Sequence, residues 1–280
     1  MSAEHTHHRA QVALVISIAA TVAVYTLPYG RILGHPLILL STLAHELGHG
    51  LAAGAVGFDF SSFVIYPDGS GYAKWHGTPN NLQRAFVSAG GLIGPAAVAA
   101  TCFAAGGSAG VVRRVFLGFG VGLIALDLFV VTDLFSRLFF GVLAGGFVLV
   151  GVRSRKDSAR IVMFTFSIAL LLAEIFVVSN PFGFAFVGGL SLTLLVIAVK
   201  GGRGLSQVVL VFLAVQLALS VFSRGDYLFT PTAHTSAGVG PSDVAQIAEA
   251  LWLPYWFWGA WCGLLSVVIL IAGVRAFLSR

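Results

Sequence analysis

The sequence predicts an all-α, polytopic membrane protein with about nine transmembrane helices in one bundle and a short β-hairpin after the second helix. Three observations carry this reading. Hydrophobic residues fill 58% of the 280 positions and charged residues only 10%, with a mean hydropathy of +0.94; a soluble domain of this size keeps roughly a quarter of its residues charged. Apolar runs long enough to cross hydrocarbon recur along the whole chain, separated by glycine, proline or polar breaks. The longest polar interruptions are 58–83 and 224–253, so residues 1–280 read as a single integral-membrane unit with no inserted soluble domain.

The apolar runs fall at 11–28, 36–57, 84–105, 113–131, 136–152, 160–178, 181–199, 204–223 and 254–275. The segment before the first run lacks a strongly basic stretch, and no small-x-small cleavage site follows, so that run reads as a retained span. Between the second and third runs, Phe60–Tyr66 and Tyr72–Trp75 are β-prone and flank the turn residues Pro67-Asp68-Gly69-Ser70-Gly71. This predicts a hairpin, and a hairpin edge can take up an extended peptide by strand addition. In the third run, Gly90 and Gly94 let two helix backbones approach closely, which places this span beside the second. Gly118-Phe119-Gly120-Val121-Gly122 lies inside an apolar run with no strand before it, so it is not a dinucleotide loop. Only Thr132-Asp133-Leu134-Phe135 separates the fourth and fifth runs. In 224–253, Ser242-Asp243 after Pro241 predicts the cap of a short helix over 244–251. Trp252, Trp256, Trp258 and Trp261 read as an interfacial belt and span packing. Cys102 and Cys262 lie in apolar runs and read as packed thiols rather than a disulfide.

Lys and Arg number 16 against 11 acids. No basic run or aromatic-interleaved patch accompanies the excess, which argues against nucleic acid as a partner. Nine spans would put 11 of the 16 cations on one side of the membrane and 5 on the other. The positive-inside rule then sets the C-terminus in the cytoplasm and both long interruptions outside.

The chemistry gathers in Thr42-Leu43-Ala44-His45-Glu46-Leu47-Gly48-His49-Gly50, an H-E-x-x-H inside the second span. On a helix, residues four apart stack one turn above the other, so His45 and His49 share a face and can bind one zinc ion. Glu46 beside them can take a proton from water at that ion. Imidazoles and a carboxylate at membrane depth are costly and are functional by default. The competing reading is a polar cluster that bonds neighbouring helices.

Catalytic zinc takes three protein ligands, so one more is required. Asp127 and Glu174 lie within spans, where burial cost demands a reason for an acid. Asp226, Asp243 and His234 lie in the late polar segment. The residues alone leave this choice open.

With these pieces in place, the chain resembles the site-2-protease family of intramembrane zinc metalloproteases, in its compact "B-like" branch. The resemblance runs from His45 to about Trp261. It rests on His45-Glu46-Leu47-Gly48-His49-Gly50, Ser70-Gly71, Ala89-Gly90-Gly91 with Gly94-Pro95, Asn180-Pro181-Phe182-Gly183, Ser242-Asp243-Val244-Ala245 and the Trp-rich Pro254–Trp261. The main family carries its third ligand in N-x-x-P-x-x-x-L-D-G. Aligning on Asn180 puts Gly183 in place of that proline and Gly188 in place of that aspartate, and Gly188 offers no ligand atom. The resemblance implies Asp243 as third ligand, with Asp226 second and Asp127 third. It also implies that Asn180 assists peptide or oxyanion binding, that one zinc ion is the cofactor, and that the hairpin faces the cytoplasm, opposite to the charge count.

The function implied is a zinc-dependent intramembrane endopeptidase cutting a peptide bond in or near a transmembrane segment of a membrane-protein substrate, in a bacterial inner membrane. Two alternatives belong to other classes. One is a catalytically inactive, protease-like protein that binds membrane clients, motivated by the missing aspartate. The other is a metal transporter, with the histidines and acids such as Asp127 or Glu174 forming a relay.

Overall fold

The computed structural model describes residues 3–27, 29–107, 110–153, 157–223, 226–236 and 238–278. Its long helices are α1 (Ala3–Thr26), α2 (Gly30–Ala55), α3 (Asn81–Gly106), α4 (Gly110–Phe129), α5 (Leu134–Val152), α6 (Ser158–Phe176), α7 (Pro181–Lys200) and α8 (Gly202–Ser223). The one-turn α9 (Asp226–Phe229), the short α10 (Asp243–Leu251) and the long α11 (Tyr255–Leu278) complete the set. Each expected apolar run coincides with one of the long helices. Among the described residues, six stretches are long and apolar enough to cross a membrane: Asn81–Gly106, Leu134–Val152, Ser158–Phe176, Pro181–Lys200, Gly202–Phe229 and Tyr255–Leu278. Shorter apolar stretches run Gln11–Val24 and Phe116–Phe129. The chain is therefore an all-α polytopic membrane protein. α2 falls outside the six because His35, His45, Glu46 and His49 interrupt its apolar sequence.

Helix starts follow local chemistry. The Asn80 side chain accepts from the Gln83 amide (2.9 Å), and Gln83 returns a bond to the Asn80 amide (3.0 Å). This capping box satisfies two otherwise orphaned donors and opens α3. Asp133 accepts from Ser136 N and starts α5. α3 then packs against α2, α8, α10 and α11. The α2–α3 crossing depends on glycine. A Cβ on Gly48 would stand 2.3 Å from the Gly90 carbonyl oxygen, and one on Gly94 would stand 2.5 Å from the Ala44 oxygen. Backbone thus lies directly on backbone, as the Gly90/Gly94 spacing predicted.

β1 (Asp59–Ile65) and β2 (Gly71–His76) form the expected antiparallel hairpin. Gly69, at φ +87°, makes the turn. The Thr42 hydroxyl donates to the Gly69 carbonyl at 2.5 Å, so the hairpin runs back alongside the second half of α2. The sequence placed 58–83 as a polar interruption beyond the span end. The structure instead folds it against the helix, because Gly69 and Gly71 carry no side chain to hold it off Ile38 and Thr42. Non-helical backbone at that level is tolerated where protein surrounds it, and Phe63 and Ile65 of β1 are fully buried.

β1 is hydrogen-bonded on both sides. Away from β2, Phe63 N donates to the Val177 oxygen (2.8 Å) and Ser179 N donates to the Phe63 oxygen (3.2 Å). Phe63 and Ile65 thus turn their backbone groups away from β2. Their partners in register are Ala73 and Gly71, which by the alternation of antiparallel pairs turn theirs to the outer edge of β2. That edge has no strand beside it among the described residues. A second hairpin, β3 (Thr232–Thr235) with β4 (Gly238–Pro241), was not anticipated. Next to its turn, Ser236 donates its hydroxyl to Asp68 (2.5 Å) and its amide to the Ser70 hydroxyl (3.2 Å), tying the two hairpins tip to tip. Bonds from the Ser236 hydroxyl, then from Ser70, hold the Asp68 carboxyl below the usual carboxylate range.

Trp252, Trp256 and Trp261 are exposed, as a belt requires, whereas Trp258 packs against the cluster around Val244 and Ile247. Cys102 and Cys262 are free and buried.

Candidate metal centre

α2 presents His45 and His49 one turn apart, with Nε2 atoms 3.2 Å from each other. The His49 ring is fixed from behind. Its Nδ1 donates to the Val87 carbonyl of α3 at 2.9 Å, so Nε2 keeps its lone pair and points toward His45. The ring lies over Gly91, where a Cβ would sit 2.2 Å from Nε2. Bare backbone at that position is what gives the imidazole its place.

Asp243 completes the group. Its Oδ2 is 3.1 Å from His45 Nε2 and 3.3 Å from His49 Nε2. Ser242 caps α10 by accepting from the Ala245 amide, and Val244, Ile247 and Ala250 are buried against Ala85, Leu92 and Cys262. The cap and the convergence on the histidines therefore coexist: the apolar face of α10 docks on α3 and α11 while the first residue of α10 turns its carboxylate to α2.

His45, His49 and Asp243 are the group of metal-capable side chains that forms among the described residues, with ligand atoms all within 4.8 Å. The donor set fits zinc. Bonds of about 2.0–2.2 Å in tetrahedral geometry place ligand atoms roughly 3.3–3.5 Å apart. The three observed edges fall within a few tenths of an ångström of that, and they form one face of such a tetrahedron. Three electron-rich atoms at this spacing repel one another unless positive charge lies among them.

Glu46, 5% exposed, lies beside this face rather than in it. A Cβ on Gly71 would come 3.1 Å from Glu46 Oε1, which sets the carboxylate next to the start of β2. Together they line a cavity of about 290 Å³ that also meets Ala73, Trp75, Tyr227 and Gln246. The Tyr227 ring centroid is 6.2 Å from that of His45.

Of the other sequence candidates, Asn180, Asp127 and Glu174 lie apart from the cluster. Asn180 directs its carboxamide at Ile65, accepting from Ile65 N (3.3 Å) and donating to the Ile65 oxygen (2.8 Å), so it continues the pairing of β1 and does not line the cavity. Asp127 belongs to α4, where it faces Gly141 of α5. Glu174 of α6 lies against α7, its Oε1 2.5 Å from where a Cβ on Gly188 would be. Neither acid joins a metal-capable group among the described residues. The side chain of Asp226 lies outside the described residues. Sequence reasoning missed the Val87 carbonyl and the β3–β4 hairpin, which carry no local signal. It also missed Gln246, although one helical turn from Asp243 was a readable spacing.

A family model described as Peptidase M50B-like matches residues 13–164 and 151–273. No curated protein and no solved structure matches the chain.

Proposed function

This chain belongs to the Peptidase M50B-like family, and from that premise we propose that it is a zinc-dependent intramembrane endopeptidase acting on a transmembrane or juxtamembrane segment of a membrane protein. The single observation that carries the reading is the His45–His49–Asp243 triangle with Glu46 and the open edge of β2 on one shared cavity. His45, His49 and Asp243 would hold the ion. When bound there, zinc supplies Lewis-acid polarisation of a peptide carbonyl and lowers the pKa of water.

The remaining work falls to the protein. Gly71 and Ala73 offer outward backbone donors and acceptors that align an extended peptide along β2. A substrate helix must therefore unwind locally, and the peptide groups this frees find partners on the strand. Glu46 accepts a proton from the attacking water and returns it to the departing amine. The α2–α3 glycine contact keeps the histidines at fixed spacing, and closely packed helices around the cavity raise the worth of every charge inside it. Residues 1–280 act in this reading as a single integral-membrane unit, embedded in the lipid bilayer of a bacterial inner membrane.

The test uses detergent-purified protein and a panel of transmembrane peptides. Wild type should cleave at a defined bond. Glu46→Gln should abolish cleavage while zinc content stays at the wild-type level, and His45→Ala should lose the metal. Undiminished cleavage by Glu46→Gln refutes the peptidase reading. Zinc flux into vesicles without cleavage favours a transporter, and client binding untouched by Glu46→Gln favours a non-cutting binder.

A further inference from the structure

A peptidase of this design needs a second donor to the carbonyl oxygen, because charge grows on that atom as water adds. Asn180 is occupied by both backbone groups of Ile65. Gln246 supplies the carboxamide that lines the cavity. It lies on α10 three residues after Asp243, so the two side chains share a helix face with Cβ atoms about 5–6 Å apart. Its backbone amide bonds to the Ser242 oxygen within the helix. Its side chain is half-buried, and among the described residues it makes no hydrogen bond. Two hydroxyls on the cavity wall have partners already: Thr42 donates to the Gly69 oxygen and Ser220 to the Leu217 oxygen.

Position adds to this. α10 is anchored by Val244, Ile247 and Ala250, all buried. Asp243 lies one turn before Ile247 and Gln246 one turn before Ala250, so both stand at the edge of that buried face, where they line the cavity. A peptide carbonyl entering the cavity between β2 and α10 offers the Gln246 amide an acceptor.

We propose that Gln246 is a catalytic residue whose side-chain N–H donates to the scissile carbonyl oxygen and strengthens that bond as the oxygen becomes negative. The proposal rests on the peptidase reading and names a part of it. The water oxygen bonds to the carbonyl carbon and the C=O π pair moves onto oxygen. Glu46 takes the proton. When the pair returns, the C–N bond breaks and the amine leaves with the proton from Glu46. Gln246 keeps its hydrogens throughout and contributes only the hydrogen bond.

The experiment compares wild type, Gln246→Leu and the near-isosteric Gln246→Glu on one cleavable transmembrane peptide. It adds peptide affinity in the Glu46→Gln background, zinc content and thermal melting. The expected result is a kcat lower by about 10²–10³-fold in both variants, with KM, peptide affinity in the Glu46→Gln background, zinc content and melting within twofold or a few degrees of the parent. Unchanged kcat in Gln246→Leu overturns the proposal. So does weaker peptide binding at unchanged kcat, which would make Gln246 a ground-state contact. A fall in zinc content or melting in both variants overturns it too, since the residue would then be structural. No cleavage by wild type itself sinks the peptidase reading, a result distinct from all of these.

Discussion

Gly91→Ala adds one methyl group, and the structure says where it goes. The new Cβ would lie 2.2 Å from His49 Nε2 and 2.3 Å from its Cε1. An ordinary contact begins near 3.4 Å, so the ring must move by about 1.2 Å. It cannot do so freely, because Nδ1 is bonded to the Val87 carbonyl at 2.9 Å. Nor can α3 retreat freely, since α8, α10 and α11 pack against it. Metal–ligand distances tolerate about 0.2 Å. A shift several times larger removes His49 from the triangle. Disturbing a group that merely orients a ligand costs 10–100-fold in metal affinity, so displacing the ligand itself should cost at least 100-fold, or about 2.8 kcal/mol. The assay is a competition titration of purified protein against a zinc chelator, with bound metal counted by mass spectrometry. Gly145→Ala and Gly189→Ala serve as controls, because a Cβ at either meets nothing within 4 Å. Wild-type zinc affinity in Gly91→Ala would show that the ring's seat on Gly91 does not govern the site.

Asp243→Ala should lose zinc after dialysis against a chelator, while Asp127→Ala, Glu174→Ala and Asp226→Ala should retain it; metal analysis of the four side by side decides which acid is the ligand. Asn180→Ala removes two bonds from Ile65 and should lower stability by about 1–3 kcal/mol, read as a lower melting temperature with zinc content unchanged. Asp68 is held below its unfolded pKa, so its tie to Ser236 contributes stability at neutral pH and fades as pH falls through the lowered value. Hydrogen-exchange protection over 232–236 and 238–241, corrected for the intrinsic rate at each pH, should therefore fall on acidification, and Ser236→Ala should show low protection at both pH values.

How much of this could be read from the sequence depends on the distance over which each feature is determined. His45, Glu46 and His49 are set by the pitch of one helix, so their spacing was legible at once. The β1–β2 hairpin was legible from its turn residues, but its course along α2 was not, because that depends on bare glycines meeting Ile38 and Thr42. Asp243 was the harder case. Burial cost drew attention to Asp127 and Glu174, since an acid within a span requires explanation. Glu174 has one that no single stretch reveals: its carboxylate lies in the space left by the missing side chain of Gly188, on the neighbouring helix. Local chemistry identified Ser242 as a cap, but only the packing of α10 on α3 decides which way the next carboxylate points. Asn180 was read through a resemblance, and the parallel bridge between Phe63 and Val178, which places its amide against β1, joins residues 115 positions apart.

The triangle draws two of its corners from α2 and the third from a nine-residue helix near the other end of the chain. An ion held there would act as a clasp between distant parts of one polypeptide. Seating of α10 and retention of the cation then become a single linked equilibrium, and each must favour the other to the same degree. Whatever pries that short helix loose disarms the protein, and whatever strips the cation loosens the wall of its own reaction chamber.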